Sequence, residues 1–143
     1  MKESVESLLN EVRLLFHRAV QAAEELHADE PVTPGTRGVL ELLSRSGSAS
    51  VPQMARRRLV SRQHIQALVN MLLAQGLVAL EENPAHRRSA LVTLTPGGRR
   101  LIERVLKRES RFYAGMKLDL PPEEIEEAAR TLACVRRAMG GAR

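Results

Sequence analysis

Apolar residues recur every third or fourth position through Val5, Leu8, Leu9, Val12, Leu15, Phe16, Ala19, Ala23 and Leu26. This spacing predicts one long amphipathic helix over roughly residues 4–28, ended by Asp29-Glu30-Pro31. Thr33-Pro34 then reads as an N-cap with proline in the first helical position. Val39, Leu40, Leu42 and Leu43 carry a second helix to about Ser46, where Gly47 stops it. Ser50-Val51-Pro52-Gln53 has the spacing of a capping box, so a short third helix is expected up to about Arg58. Leu59-Val60 is a tight connection, and Ser61 is the N-cap of a fourth helix. That helix has Ile65, Leu68, Val69, Leu72 and Leu73 on one face and Gly76 as its C-terminal glycine.

The period changes after Gly76. Leu77–Glu81 and Ala90–Leu94 read as the strands of an antiparallel hairpin, with a loop of about seven or eight residues around Asn83-Pro84. Thr95-Pro96 opens a fifth helix through Leu101, Ile102, Val105, Leu106, Phe112, Tyr113 and Met116, and Leu120-Pro121-Pro122 breaks it. A sixth helix holds Ile125, Ala129, Leu132, Val135 and Met139 and ends at Gly140-Gly141. Neither an internal repeat nor a low-complexity linker is visible.

A short helix, a tight turn and a longer capped helix make a helix-turn-helix, and the hairpin directly after it adds a wing. The fold class is therefore mainly α (α+β): a winged helix-turn-helix with a two-stranded β-hairpin wing. Its expected core is Val39, Leu43, Met54, Ile65, Leu68, Leu72 and Val92. The helices at both termini carry apolar stripes longer than one small winged helix could cover, so they are expected to form a twofold dimer. The domain reading is residues 1–32 as an N-terminal dimerisation helix, 33–100 as the winged helix and 101–143 as C-terminal dimerisation helices.

Charge adds a direction to this outline. Residues 1–50 have a net charge of −3, residues 51–100 of +6 and residues 101–143 of +2. The middle third holds eight arginines against two glutamates, so a polyanion would dock there. At 100° per residue, Arg62, Gln63, Gln66 and Asn70 form one polar stripe on the fourth helix, apart from its apolar face. Arginine is bidentate to guanine, and Asn or Gln to adenine. Ser61 can offer a hydroxyl or backbone N–H to a phosphate at the helix N-terminus. The candidate recognition-helix contacts are thus Ser61, Arg62, Gln63, His64, Gln66 and Asn70. A hairpin tip with His86, Arg87 and Arg88 can reach the adjacent minor groove. Taken singly these are ordinary solubilising residues; taken together they point to double-stranded DNA.

Other chemistries find less support. The four histidines (17, 27, 64 and 86) and Cys134 lack metal-ligand spacing, and neither a Ser/His/Asp set nor a phosphate loop occurs, so no catalytic residue, metal or cofactor is expected. Phe16, Phe112 and Tyr113 lie outside the basic third, so a stacking platform for single-stranded nucleic acid is missing. Cys134, between Leu132 and Val135, is expected to be a buried small hydrophobe. A single cysteine, an acidic start and no apolar run of bilayer length lead to the expectation of a cytoplasmic protein with no membrane partner.

The stretches MARRRLVSRQHIQALVNMLLAQGLV (54–78) and NPAHRRSALVTLTPGG (83–98) resemble the winged helix of the MarR (multiple antibiotic resistance regulator) family. The second is the more specific, because it combines the Asn-Pro turn, paired arginines, Val-x-Leu-Thr strand and following glycine. The resemblance implies a homodimeric transcription factor on an inverted-repeat operator, often a repressor released by a small ligand or oxidant. It makes Ser61, Arg62, Gln63 and Gln66 recognition-helix contacts and Arg88 the wing-tip arginine. It also implies a pocket for a small aromatic effector, lined by Phe16, His17, Arg37 and the fifth helix. Peroxide-sensing members carry a reactive cysteine near the first helix, and this chain has none there.

Two positions depart from the pattern. His86 stands where an acidic residue often holds the wing arginine, so Arg88 is less fixed or His86 itself touches phosphate when protonated. Arg58-Leu59 stands where leucine and glycine are usual, and Leu59 is expected to take over the packing role in a slightly altered turn. The alternative to a DNA-binding regulator is a winged-helix module that binds a protein or ligand without binding DNA. Such a module has no need of Arg62, Arg87 and Arg88 facing one way.

Overall fold

The computed structural model describes residues 1–140. It comprises helices α1 (Lys2–Leu26), α2 (Pro34–Ser46), α3 (Val51–Arg58), α4 (Arg62–Ala74), α5 (Pro96–Gly115) and α6 (Pro122–Gly140), and strands β1 (Ala49–Ser50), β2 (Val78–Glu81) and β3 (Leu91–Leu94). Residues 1–111 form one compact unit and residues from Phe112 onward a second. The first therefore contains α1, the winged helix and most of α5.

The caps lie where the sequence puts them. Thr33 and Ser50 each close a capping box, with Thr36 and Gln53 respectively. The Ser61 hydroxyl accepts a hydrogen bond from the His64 backbone N–H at 3.1 Å. Gly47 and Gly76 take positive φ at the ends of α2 and α4. At Gly76 the Leu77 N–H donates to the Leu72 carbonyl at 3.0 Å and the Gly76 N–H to the Leu73 carbonyl at 3.0 Å, which satisfies two of the last carbonyls of α4.

The sheet has one strand more than the expected hairpin. β1 pairs antiparallel with β3 through Ala49–Val92 and Ser50–Leu91, giving the order β1-β3-β2. Two residues that already belong to a helix cap carry almost no strand pattern, so this element was invisible to periodicity. β2 begins at Val78 rather than Leu77, and Glu81 pairs with Leu91. The wing loop therefore spans residues 82–90, slightly longer than expected, because Ala90 stays outside the ladder.

The expected core residues are all buried: Val39, Leu43, Met54, Ile65, Leu68, Leu72 and Val92, joined by Leu40, Val69, Val78, Leu101, Ile102 and Val105. Gly98 lets the first turn of α5 sit against the hairpin. A Cβ there would fall 1.9 Å from the Leu77 carbonyl oxygen, a clash that no side-chain movement relieves.

Three expectations need correction. α5 ends at Gly115, before Met116 and well before Pro121, because the chain leaves the helix after a glycine rather than at the proline pair. Leu59 does not pack. It is 75% exposed in the left-handed conformation, with φ 56°, where the turn throws its side chain outward. The Arg58 guanidinium instead lies against Gly38 of α2, where a Cβ would come within 2.4 Å of its carbon. Cys134 is exposed, since no residue of α6 is buried. The helix period identified its apolar side but not what that side faces. The expected stop of α6 at Gly140-Gly141 is half answered: the helix reaches Gly140, and Gly141 lies outside the described residues.

Candidate nucleic-acid interface

α3, the left-handed turn at Leu59 and α4 set the polar stripe of α4 outward. The Val60 N–H donates to the Ala55 carbonyl at 3.1 Å, closing α3 and turning the chain directly into the Ser61 cap. Arg62, Gln63, His64, Gln66 and Asn70 are all exposed, while Ile65, Leu68, Val69 and Leu72 are buried beneath them. The Gln66 side-chain amide donates to Asn70 Oδ1 at 2.9 Å, one turn along, so two potential base-reading amides orient each other.

The wing loop has a fixed backbone. Asn83 Oδ1 accepts from the Ala85 N–H at 3.1 Å, and Asn83 Nδ2 donates to the Ser89 carbonyl at 2.9 Å. The His86 N–H donates to the Asn83 carbonyl at 3.1 Å, and the Ser89 N–H to the His86 carbonyl at 3.2 Å. Asparagine supplies this turn because its side chain mimics a backbone acceptor two residues on. The outcome is a rigid loop presenting three exposed side chains, His86, Arg87 and Arg88.

Two clefts join the wing to the helices. One of about 410 Å³ is bordered by Arg62, Gln63 and Gln66 of α4 and by Arg88. Another of about 270 Å³ is bordered by Gln53, Arg56, Arg62 and His86. Arg62, Gln63 and Gln66 therefore share clefts with His86 and Arg88, whereas Arg87 borders a separate cleft with Glu81 and Glu82. Arg56, which the sequence reading passed over, joins them; its signal was its place one turn before Leu59 in the Arg56-Arg57-Arg58 run. Among the described residues, none of Arg56, Arg57, Arg58, Arg62, Arg87 or Arg88 forms an ion pair with a carboxylate.

The residues expected to line an effector pocket are placed differently. The Arg37 Nε donates to Glu109 Oε1 at 2.6 Å, and its terminal nitrogens reach Glu109 Oε2 and Glu41. His27 Nε2 lies 3.1 Å from Glu109 Oε1, with both residues buried. The bond from Glu109, the charge of Glu109 and the charge of Glu41 hold Arg37 more firmly protonated than a free arginine. Burial alone would raise the Glu109 carboxyl, but its bond and charge contact with Arg37, aided by His27, bring it below its ordinary value. The crevice beside Arg37 measures only about 20 Å³ and includes neither Phe16 nor His17. A cavity that admits benzene is about 150 Å³. Phe16 and His17 stack edge to face, exposed on α1. Phe16 and His17 thus do not border the crevice beside Arg37, and Arg37 works as a joint between α2 and α5. Sequence could not reveal this, since Arg37 and Glu109 stand far apart in the chain.

Among the described residues no three His, Cys, Asp or Glu side chains gather as a metal site requires, and no helix is long and apolar enough to cross a membrane.

Comparison with known proteins fits this geometry. A sequence model described as the MarR family matches residues 31–89. The chain is 34% identical over 108 residues to the uncharacterized protein Mb2034c of Mycobacterium bovis, spanning 76% of this chain and 75% of that one. It is 35% identical over 111 residues to the transcriptional activatory protein BadR of Rhodopseudomonas palustris, spanning 71% of this chain and 63% of that one. The crystal structure of the MarR family transcription regulator SP03579 superposes with a TM-score of 0.83 at 25% identity, covering 97% of this chain and 92% of that one.

Proposed function

The chain belongs to the MarR family, and on that premise we propose that it regulates transcription as a homodimer bound to an inverted repeat in double-stranded DNA. The observation that carries this reading is the cleft where unpaired Arg62 and Arg88 meet Gln63 and Gln66, with Arg87 exposed beside it on the wing loop. Unpaired arginines on a rigid frame attract phosphates at no cost in broken ion pairs, and each neutralised phosphate releases counterions. In this reading α4 enters the major groove, where Arg62, Gln63, Gln66 and Asn70 read base edges and Ser61 and His64 lie beside the backbone. His86, Arg87 and Arg88 follow the wing to the minor groove.

The dimer is supported by apolar surface that each unit leaves open. On α1, Leu14, Leu15 and Phe16 are more than half exposed, and no residue of that helix is buried. In the second unit Phe112, Tyr113, Ile125 and Met139 are exposed as well. A second copy covering such stripes makes a closed twofold pair. Two recognition helices then stand about 34–36 Å apart, one DNA turn, or a small multiple of it. The proposed action is repression: an operator overlapping a promoter is closed to polymerase by occupancy alone. BadR is named as an activatory protein, so operator placement sets the sign. Release by a small aromatic acid through Arg37 requires Glu109 to be displaced first, because its carboxylate already fills the guanidinium fork.

Selection of bound sequences from a random duplex pool, with light scattering on the free protein, tests the reading. An inverted repeat and a dimer at micromolar concentration are expected. A single asymmetric half-site would overturn the docking geometry, and a stable monomer would overturn the dimer.

A further inference from the structure

We propose that the cleft between α3, α4 and the wing loop is the seat of one backbone phosphodiester of the bound duplex, held by Arg56 and His86, and that it makes DNA affinity rise as pH falls. The proposal rests on the duplex-binding reading above and assigns a site within it.

The cleft measures about 270 Å³, and its polar walls are Ser50 of β1, Gln53 and Arg56 of α3, Arg62 of α4, and Asn83, His86 and Ser89 of the wing loop. No carboxylate borders it. The Ser50 and Ser89 hydroxyls can each donate, and the amide oxygens are already used. Gln53 Oε1 accepts from the Ser50 N–H at 2.9 Å, which leaves the Gln53 Nε2 hydrogens as donors. Asn83 spends both amide atoms within its own loop. Arg56 and Arg62 offer only N–H groups, and neither has an ion-pair partner among the described residues. A site rich in donors and cations and free of carboxylates favours a ligand that only accepts, and a phosphodiester is such a ligand. The source follows from position. If α4 lies in the major groove and the wing in the adjacent minor groove, the strand between those grooves passes between Arg62 and His86.

His86 makes the seat sensitive to protons. Neutral imidazole offers one donor and one acceptor; protonated, it offers two donors and a charge. Arg56 and Arg62 border the same cleft as His86 from α3 and α4, and Arg87 and Arg88 adjoin it on its own loop. Glu81 and Glu82 border a different cleft, with Arg87. A phosphate placed between His86 and the arginines favours the charged imidazole, which couples binding to proton uptake. Affinity should therefore climb as pH falls through the histidine range near about 6.5.

The test is fluorescence anisotropy of the full chain on its selected duplex, between about pH 8 and about pH 5.5 at fixed ionic strength. Wild type should tighten roughly tenfold toward low pH, whereas the affinity of His86→Gln, whatever its level at pH 8, should vary by no more than about twofold across the range. Arg56→Gln should bind about tenfold more weakly at every sequence, with a salt slope shallower by about 0.9. Both residues are exposed, so neither change threatens folding. Duplexes with one neutral methylphosphonate at successive positions should lose the pH response at one position in each half-site. A response retained at every position would overturn the backbone phosphate in favour of a free anion. A pH response that survives His86→Gln, or an unchanged salt slope in Arg56→Gln, overturns the cleft alone. Absence of duplex binding at every pH overturns the regulator reading together with it.

Discussion

Arg37, Arg104 and Arg108 each fork onto a carboxylate, of Glu109, Glu30 and Asp29 respectively. Arg62, Arg87 and Arg88 meet none among the described residues. The first group ties the α1–α2 connection and α2 to α5, and its charge is consumed inside the chain. The second sits on α4 and a rigid wing with its charge available. What decides the role of an arginine here is its partner rather than its exposure: Arg104, with its side chain 54% exposed, is still paired. A count of arginines would have treated both groups alike, and net charge does no better. The joint is structural, and the open group is the surface a polyanion can use.

The sharpest way to break this comparison is to remove a paired arginine. Arg37→Ala leaves the Glu109 carboxylate, whose side chain is only 7% exposed, with His27 as its sole remaining partner. Stranding a buried charge costs about 3–5 kcal/mol, and the partial exposure of Arg37 puts the expectation near about 3. Urea unfolding at pH 7 should show that loss. A change below about 1 kcal/mol would mean the pair is screened like a surface one and the joint is not a joint. The loss should fade in acid. Because Glu109 titrates below its ordinary value in the folded chain, its contribution is present above the unfolded value near about 4.3 and disappears as pH falls through the folded one. Arg104→Ala should change stability much less, because Glu30 keeps Arg108 at 3.5 Å.

Removing members of the open group should leave stability alone and change DNA binding in two distinct ways. Arg88→Ala should weaken binding at every duplex sequence, since contacts to backbone and minor groove position the protein. Gln63→Ala or Gln66→Ala should instead relax the preference at particular bases, by about 1–3 kcal/mol for a lost bidentate pair. Competition binding against single-base variants of the selected site separates the two. Equal losses at every sequence for all three variants would erase the division between wing and recognition helix.

The open group was legible in the sequence and the paired group was not, for a physical reason. Helices, caps and the polar stripe of α4 arise from interactions over three or four residues, so their pattern is written locally: Thr33, Ser50, Ser61 and Gly76 all cap where spacing alone puts them. The Arg37–Glu109 fork joins residues brought together only by packing. β1 escaped because two residues are too few to show a period, and Cys134 because helical spacing tells which side is apolar but not whether anything covers it. Arg56 was hidden in a run of three arginines, of which only the fold shows which one borders the wing cleft.

The smallest expected effect is a control that touches neither group. α3 and α4 end in the same kind of turn, closed by a bond from the N–H just after the left-handed residue to the carbonyl five residues back: Val60 to Ala55, and Leu77 to Leu72. One turn uses Gly76 at φ 70° and the other Leu59 at φ 56°. A side chain in that left-handed region costs roughly 1–2 kcal/mol, because its Cβ crowds the following carbonyl. Leu59 recovers little of this by burial, being 75% exposed. Leu59→Gly removes the crowding but frees the unfolded backbone, which offsets about 0.5–1 kcal/mol. A net gain of about 0.5 kcal/mol is expected, seen as a higher urea midpoint with an unchanged slope. Because the turn keeps its geometry, duplex affinity and its salt slope should stay at wild-type values. A loss of affinity would show that the leucine side chain itself meets the DNA, and the open surface would then have to include an apolar contact beside its arginines.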